Sequence, residues 1–347
     1  MTQRSDIVTL ADQFQILASL GRDLREYCVL LGIDLDAIAK PLQIDTERFE
    51  DFEARVSFDR FCRLMEALAV ISGDDAFGLK FGRYSKPSGT GPFGFGLSHA
   101  PTFRDMLTFY ARYVRIIADL DVFNATIEKN RIAIEWTHSP LITQREQFVD
   151  YSAATAMRLF QFHAGRPFIL LEARFERREP RDKSPYYDLF TRNIRFGAEI
   201  NELVLPGDVL DSVNPSADRV MFDFMAQKCE AIAQNLNRKK DIITMLKEEF
   251  IQTMADNDRA IADVSRRLGM SERTLQRRLT EAGTSFWETY ENTRDELSIR
   301  LLKDTDLPLE EISHQVGYSS QSAYSRAVKR WHGISPLQLR QRLQAQD

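Results

Sequence analysis

Three sets of residues have types and spacing that could do chemistry. Residues 89–94 read GTGPFG, the G-x-G-x-x-G spacing with which some proteins cradle dinucleotide phosphates on backbone N–H groups. Residues 266–278 gather Arg266, Arg267, Arg273, Arg277 and Arg278 against Glu272 alone, a cation cluster suited to phosphate. Ile132, Ile134, Trp136 and His138 alternate along one strand face and set an ionisable ring at the end of an apolar row. Metal chemistry has no comparable signal. Cys28, Cys62 and Cys229 are far apart and odd in number, which reads as buried thiols of a reducing cytoplasm. The five histidines show no His-x-x-x-His spacing, so neither a metal nor a cofactor is expected.

The glycine loop fails its context. A dinucleotide fingerprint needs a strand feeding the first glycine, a helix opening at the last, and an acidic residue about 20 positions on. Here FGLKFGRYSKPS precedes the loop, with no buried strand pattern, and Pro92 removes one N–H donor. Asp105 falls on a helix, and Asp119 and Asp121 lie at the wrong distance. The plainer reading is a tight loop whose Phe93 and Phe95 pack onto the domain. A nucleotide-dependent enzyme is a remote alternative, and no convergent acid, base and nucleophile supports catalysis.

The elements around these residues divide the chain in two. At 347 residues there is room for roughly two domains. A hydrophobic content of 43% with 28% charged residues is ordinary for a globular protein, no apolar run is long enough for a membrane span, and no signal-peptide pattern opens the chain. Short amphipathic helices are expected from Ser19 to Leu68, broken at Gly32 and Pro41. In the last of them Phe58, Phe61, Leu64, Met65 and Leu68 form one stripe. A helix capped by Thr102 follows the glycine loop. The period then changes to two: 122–128 pairs as a hairpin with the Trp136 strand across Lys129-Asn130, and a helix covers about 145–164. A strand with Leu171, Ala173 and Phe175 on one face precedes a last one containing Ile194, Phe196 and Ala198. The expectation is an α+β domain with a small, mainly antiparallel sheet over 1–207. A helical linker over 208–240 and an all-α domain over 241–347 complete the chain.

The all-α part contains an internal repeat. IADVSRRLGMSERTLQRRL (261–279) aligns with LEEISHQVGYSSQSAYSRAV (309–328) at an offset of 48, with one residue added after Ser271 and Ser319. Each copy has the logic of a helix-turn-helix. An apolar–small pair, Val264-Ser265 or Ile312-Ser313, lets two helices approach. Gly269 or Gly317 takes the left-handed turn, and a serine, Ser271 or Ser319, caps the next helix. Leu275 and Leu279, or Tyr324 and Val328, pack inward. Arg273, Gln276 and Arg277 face out in one copy and Gln321, Ser322 and Arg326 in the other. Arg and Gln can pair with guanine and adenine edges in the major groove, so these six are the expected base readers. Ser271, Ser319, Ser325, Lys329 and Arg330 are the expected phosphate contacts. Between the copies SFWETYENTRDELSIRLL reads as one helix of roughly 26 Å at 1.5 Å per residue. With the flanking units it could hold both recognition helices about 34 Å apart, one DNA turn. The charge asymmetry is mild and alone licenses no nucleic-acid reading: residues 236–347 carry 18 Lys and Arg against 17 Asp and Glu, the rest of the chain 28 against 34.

These residues carry a resemblance. The segment 241–343 is similar to the double helix-turn-helix domain of the AraC/XylS family of bacterial transcription regulators, through RTLQRRLTEAGTSF and GYSSQSAYSRAVKRWHGISP. It departs from that pattern in having Ser265, Ser298 and Ser313 where alanine is usual, and Asp295 where an apolar residue is common. Val328 stands for an aromatic and Leu339 for a tyrosine. Residues 25–205 more weakly resemble the arabinose-binding-type sensor region of some members, through SGDD and GPFGFGLSHAPTF. The resemblance implies a regulator of transcription, not an enzyme, whose partners are double-stranded DNA, RNA polymerase, a small-molecule effector and a second copy of itself. Activation is the expected effect, and residues 216–237, with Met221, Phe224, Met225, Ile232 and Leu236, are a candidate contact helix for the homodimer. Tyr110, Tyr113, Arg115, Trp136 and His138 are candidate effector contacts, although a tyrosine stripe and a strand-end histidine also suit a plain core. His163 reads as a cation at a helix C-terminus and His332 as a phosphate contact. An effector-independent DNA binder whose first domain only dimerises remains the alternative.

Overall fold

The computed structural model describes residues 10–119, 122–239, 242–254 and 260–345. Asp121, and Lys240 and Asp241 at the expected domain junction, lie outside them. The chain forms two compact units, one of Phe14–His138 with Gln144–Asn237 and one made mainly of Arg238–Asp347.

The first unit runs β1 (Gln15–Leu17), α1 (Leu20–Leu31), α2 (Leu35–Ala39), β2 (Arg55–Ser57), α3 (Phe58–Ser72), α4 (Phe77–Tyr84), α5 (Pro92–His99), α6 (Phe103–Tyr113), β3 (Val122–Ile127) and β4 (Arg131–Thr137). It continues with α7 (Glu146–Ala164), β5 (Glu172–Phe175), α8 (Ser184–Leu189), β6 (Ile194–Phe196), β7 (Asn201–Pro206) and α9 (Arg219–Lys239). β1 and β2 pair antiparallel, and the other strands form one sheet in the order β3-β4-β7-β5-β6, antiparallel except for β5–β6. This is the α+β architecture with a small, mainly antiparallel sheet. The caps are local chemistry: Ser57 accepts from the Arg60 N–H at the start of α3, and Thr102 from the Asp105 N–H at the start of α6. The stripe Phe58, Phe61, Leu64, Met65 and Leu68 is fully buried.

Some expectations are corrected. The glycine-rich segment is not a loop to Pro101: Pro92 occupies the first turn of α5, where a missing N–H costs nothing. Phe93 is buried there, but Phe95 turns outward at 44% exposure. Leu171 precedes β5 and is 49% exposed, so only Ala173 and Phe175 of that face are core. The central strand β7, whose residues Asn201–Leu205 are all buried, has no alternating polar face for a period-two reading to find.

α7 lies against α4 with almost nothing between the backbones. A methyl group on Gly78 would sit 1.9 Å from the Gln147 carbonyl oxygen, and one on Gly82 would sit 2.6 Å from that of Tyr151. The Gln147 side chain locks the crossing, accepting from the Gly78 N–H at 2.8 Å and donating to the Asp75 carbonyl at 3.1 Å. Glycine inside a helix is worse than alanine by roughly 0.5–1 kcal/mol, and here the close approach requires it.

The second unit is all helical: α10 (Ile242–Thr253), α11 (Ile261–Arg267), α12 (Glu272–Glu281), α13 (Phe286–Asp304), α14 (Leu309–Gln315), α15 (Gln321–His332) and α16 (Pro336–Gln344). The repeat is thus two helix-turn-helix units, α11–α12 and α14–α15, joined by the long helix α13.

Gly78→Ala should lower stability by about 1–3 kcal/mol despite the better helix propensity, because the backbones must part. Urea unfolding checks this, and a raised midpoint would contradict the packing.

Candidate functional site

In α11–α12 the turn glycine Gly269 has φ +69°, and Ser271 accepts from the Thr274 N–H at 3.2 Å, capping α12. Leu275 and Leu279 are buried, which rotates Arg273, Gln276, Arg277 and Arg278 into solvent. Arg277 touches Glu281 at 3.4 Å; both are exposed, and such a pair yields readily to a stronger partner.

The second unit repeats the design with one shift. Gly317 has φ +72°, but the cap of α15 is Ser320, which accepts from the Ala323 N–H; Ser319 is exposed and does not cap. The residue added between the repeats moved the cap by one. Tyr324, Ala327 and Val328 point inward, while Gln321, Ser322, Arg326, Lys329 and Arg330 are exposed and Ser325 is half-buried. Arg330 pairs with Glu291 at 2.6 Å, whereas Lys329 makes no ion pair among the described residues. His332 lies 2.5 Å from Asp295, so its ring is engaged within the domain and is not held out for phosphate. That contact also explains an aspartate at a position where an apolar residue is common.

Arg294, on α13, is the residue the sequence reading missed. It is 4% exposed, and it donates from Nε to the Val316 carbonyl at 2.8 Å and from Nη2 to the Gly317 carbonyl at 2.9 Å. Its guanidinium lies 3.3 Å from the Tyr318 ring centre. Ser298 meets the Tyr324 hydroxyl at 2.7 Å, which gives the serine in an alanine position a hydrogen-bonding role. The long helix therefore holds the turn and the recognition helix of the second unit by polar contacts.

A cavity of about 340 Å³ lies inside the first unit, walled by α5, α6, α7 and the sheet. Tyr110, Trp136 and His138 line it. Tyr113 and Arg115 do not. Tyr113 is buried where α6 meets α9, its hydroxyl donating to Glu230 at 3.3 Å beside the Phe109–Phe222 ring contact, and Arg115 is exposed. Burial pushes the Tyr110 and Tyr151 phenols up to about 12, so both keep their protons. Burial lowers the His138 pKa and keeps the imidazole neutral; its Nδ1 is 3.6 Å from Glu176. Burial acts to raise Glu176, but the hydrogen bonds from Arg145 outweigh it and hold the carboxyl well below the ordinary range. Among the described residues the Trp136 Nε1 and the His138 Nε2 have no hydrogen-bond partner. His163 is buried, its Nε2 2.7 Å from the Leu97 carbonyl, and burial lowers its pKa; a neutral ring replaces the expected helix-end cation. The cavity wall that sequence reasoning missed belongs to α7. Phe148, Tyr151, Ser152, Thr155 and Leu159 recur at helical spacing, a stripe that mixes hydroxyls among aromatics.

GTGPFG has no nucleotide-binding context. Helix α4 precedes it where a strand is required, and Gly89 and Thr90 form a tight turn before α5. Among the described residues no cluster of His, Cys, Asp and Glu could hold a metal ion, and no helix is long and apolar enough to cross a membrane.

Two helix-turn-helix units on a common long helix, in a chain that also carries an α+β unit with a cavity, define a DNA-binding transcriptional regulator. Residues 32–213 match the family described as the arabinose-binding domain of AraC transcription regulators, N-terminal, and residues 264–342 match the helix-turn-helix domain family. The chain belongs to the AraC-type transcription regulators that carry this N-terminal domain. It is 25% identical over 323 residues to an uncharacterized HTH-type transcriptional regulator of Mycobacterium tuberculosis, spanning 90% of this chain and 92% of the relative. The ornithine utilization regulator of Pseudomonas aeruginosa is 22% identical over 311 residues, covering 89% and 91% of the two chains. Among solved structures, the transcriptional regulator CdpR of Pseudomonas aeruginosa is similar at 21% identity and a TM-score of 0.46, covering 92% of this chain and 97% of that one.

Arg294→Ala should cost about 2–3 kcal/mol, since it leaves the Val316 and Gly317 carbonyls without this donor and strips a ring contact. Thermal unfolding monitored by tryptophan fluorescence tests this; an unchanged midpoint would remove Arg294 from its central place.

Proposed function

We propose that this regulator reads two successive major grooves with α12 and α15, under the control of a small molecule held in the cavity of its first unit. Activation of transcription through RNA polymerase in the cytoplasm, by a homodimer, completes the proposal; no catalytic step is part of it. The observation that carries effector control is the partly enclosed cavity whose Trp136 Nε1 and His138 Nε2 have no hydrogen-bond partner among the described residues, since buried polar groups ordinarily have partners. Tyr110, Trp136 and His138 are the proposed effector contacts. On the DNA side, Arg273, Gln276, Arg277, Gln321, Ser322 and Arg326 are the proposed base readers. Ser271, Ser319, Ser325, Lys329 and Arg330 are proposed for phosphate, with Lys329 the better anchor because Arg330 must first leave Glu291.

The homodimer rests on α9. It packs inward through Phe222 and Cys229 and leaves Val220 at 81%, Met221 at 36% and Phe224 at 49% exposure, an outward apolar strip at one end of a long helix. Ile232 and Leu236 are half-buried, so the strip is shorter than the sequence pattern indicates. The same strip would serve an effector-independent dimer. A tryptophan at Ala156, on the cavity wall, separates the two readings: it should abolish the ligand response of promoter activity, and an effector-independent protein would not register it.

Arg277→Ala should cost about 1–3 kcal/mol on the cognate site and blur preference at one or two base pairs. Lys329→Ala should weaken cognate and scrambled duplexes alike and lower the salt slope by roughly one unit. Titrations on both duplexes at two salt concentrations distinguish them, and equal losses for Arg277→Ala would end its assignment as a base reader.

A fragment of residues 241–347 should keep the site preference of the full chain, because both repeats and the joining helix lie within it. A gel-shift comparison decides this: a folded fragment that binds cognate and scrambled DNA equally would refute the domain division.

A further inference from the structure

We infer that the cavity takes an amphipathic monocarboxylic acid, its hydrocarbon or aromatic body against the ring-lined wall and its carboxylate on Arg158. This rests on the reading of the cavity as the effector site and names the class of molecule it admits.

The wall sets the body. Phe93, Tyr110, Phe123, Trp136, Phe148 and Phe160 all face this space, and of the nearby hydroxyls three are committed elsewhere while Thr155 Oγ1 is open. Ser152 donates to the Val149 carbonyl, Ser98 to that of Gly94, and Ser85 lies 3.5 Å from the Tyr151 hydroxyl. A sugar would bring a hydroxyl on nearly every carbon, and each one buried without a partner lowers affinity by about tenfold or more. An apolar body loses nothing there, and each buried methylene raises affinity about fourfold.

Arg158 sets the head. It is a cation on the cavity wall, and among the described residues no carboxylate pairs with it. Only its Nη1 is committed, to the carbonyls of Gly82 and Ser85 at the end of α4, and this fixes the guanidinium while Nε and Nη2 remain free to donate. A held guanidinium with open donors is the usual partner of a carboxylate. Lys86 is also on the wall, but its ammonium pairs with Glu26 at 3.5 Å, so the head group rests on Arg158 alone. His138 marks the other end. It packs edge-on to Phe148, ten residues before Arg158 on α7, or about 15 Å along the helix. The neutral imidazole and the indole N–H there suit a lone polar atom at the far end of an elongated ligand, not a second charge.

The test is calorimetric titration of the full chain with hexanoate, octanoate and decanoate, with decanol and L-arabinose as controls. Affinity should climb about fourfold per methylene, decanoate should exceed decanol at least tenfold, and arabinose should give no heat. Arg158→Gln should bring decanoate and decanol within about threefold of each other. Arg158→Lys, which keeps the charge should the glutamine variant fold poorly by circular dichroism, should retain the preference for the acid. Equal binding of decanol and decanoate by the unaltered chain, or an acid preference that survives Arg158→Gln, overturns the assignment. So does arabinose binding without decanoate. Titration of the same preparations on DNA reads the regulator separately: intact site preference with no acid bound defeats the ligand class alone, whereas loss of site preference defeats the regulatory reading.

Discussion

The DNA-binding half turns on one guanidinium. Arg294 leaves solvent to donate to two carbonyls at the turn of the second helix-turn-helix unit and to lie against Tyr318. A helix end presents unsatisfied carbonyls and a partial negative charge, and a cation supplies both needs at once. The orientation of α15, and with it Gln321 and Arg326, is therefore set from α13 and not only from its own turn. In the first unit Gly269 takes the left-handed turn and Ser271 caps α12, local chemistry in both cases.

Much of this was legible in the sequence where short-range chemistry decides. The repeat, the turn glycines, the inward leucines and the outward Arg and Gln follow from spacing alone, as do the α3 stripe and the Trp136 hairpin. The failures have physical causes. Ser320 replaces Ser319 as cap because one added residue shifts the start of the helix, and an alignment does not say which serine takes the extended backbone of an N-cap. β7 is buried on both faces and so lacks the alternation by which strands are recognised. Arg294 reads as an ordinary charged residue of a surface helix, since the carbonyls it bonds and the Tyr318 ring lie more than twenty positions away. The Arg158 side of the cavity was illegible for the same reason.

The cavity also separates a family's name from a member's chemistry. The family's description speaks of arabinose, while the wall here is dominated by rings and aliphatic carbon with hydroxyls set among them, and carries Arg158, which no carboxylate pairs with among the described residues, and a buried histidine. A fold can keep the position of a pocket while its lining changes the molecule it admits.

α7 has two faces with opposite tolerances. Toward the cavity it offers side chains that can change rotamer. Toward α4 it offers backbone, with a carbonyl already where the methyl of an alanine at position 78 would be. The helix therefore cannot move closer to α4, and it cannot tilt without breaking the Gln147 bridge at its first turn. Sliding along the groove between Gly78 and Gly82 would break the same bridge, so the register of α7 on α4 is fixed. A molecule in the cavity therefore meets an unyielding backbone on this side and is accommodated by side-chain rotamers, with the wall itself acting as an anvil.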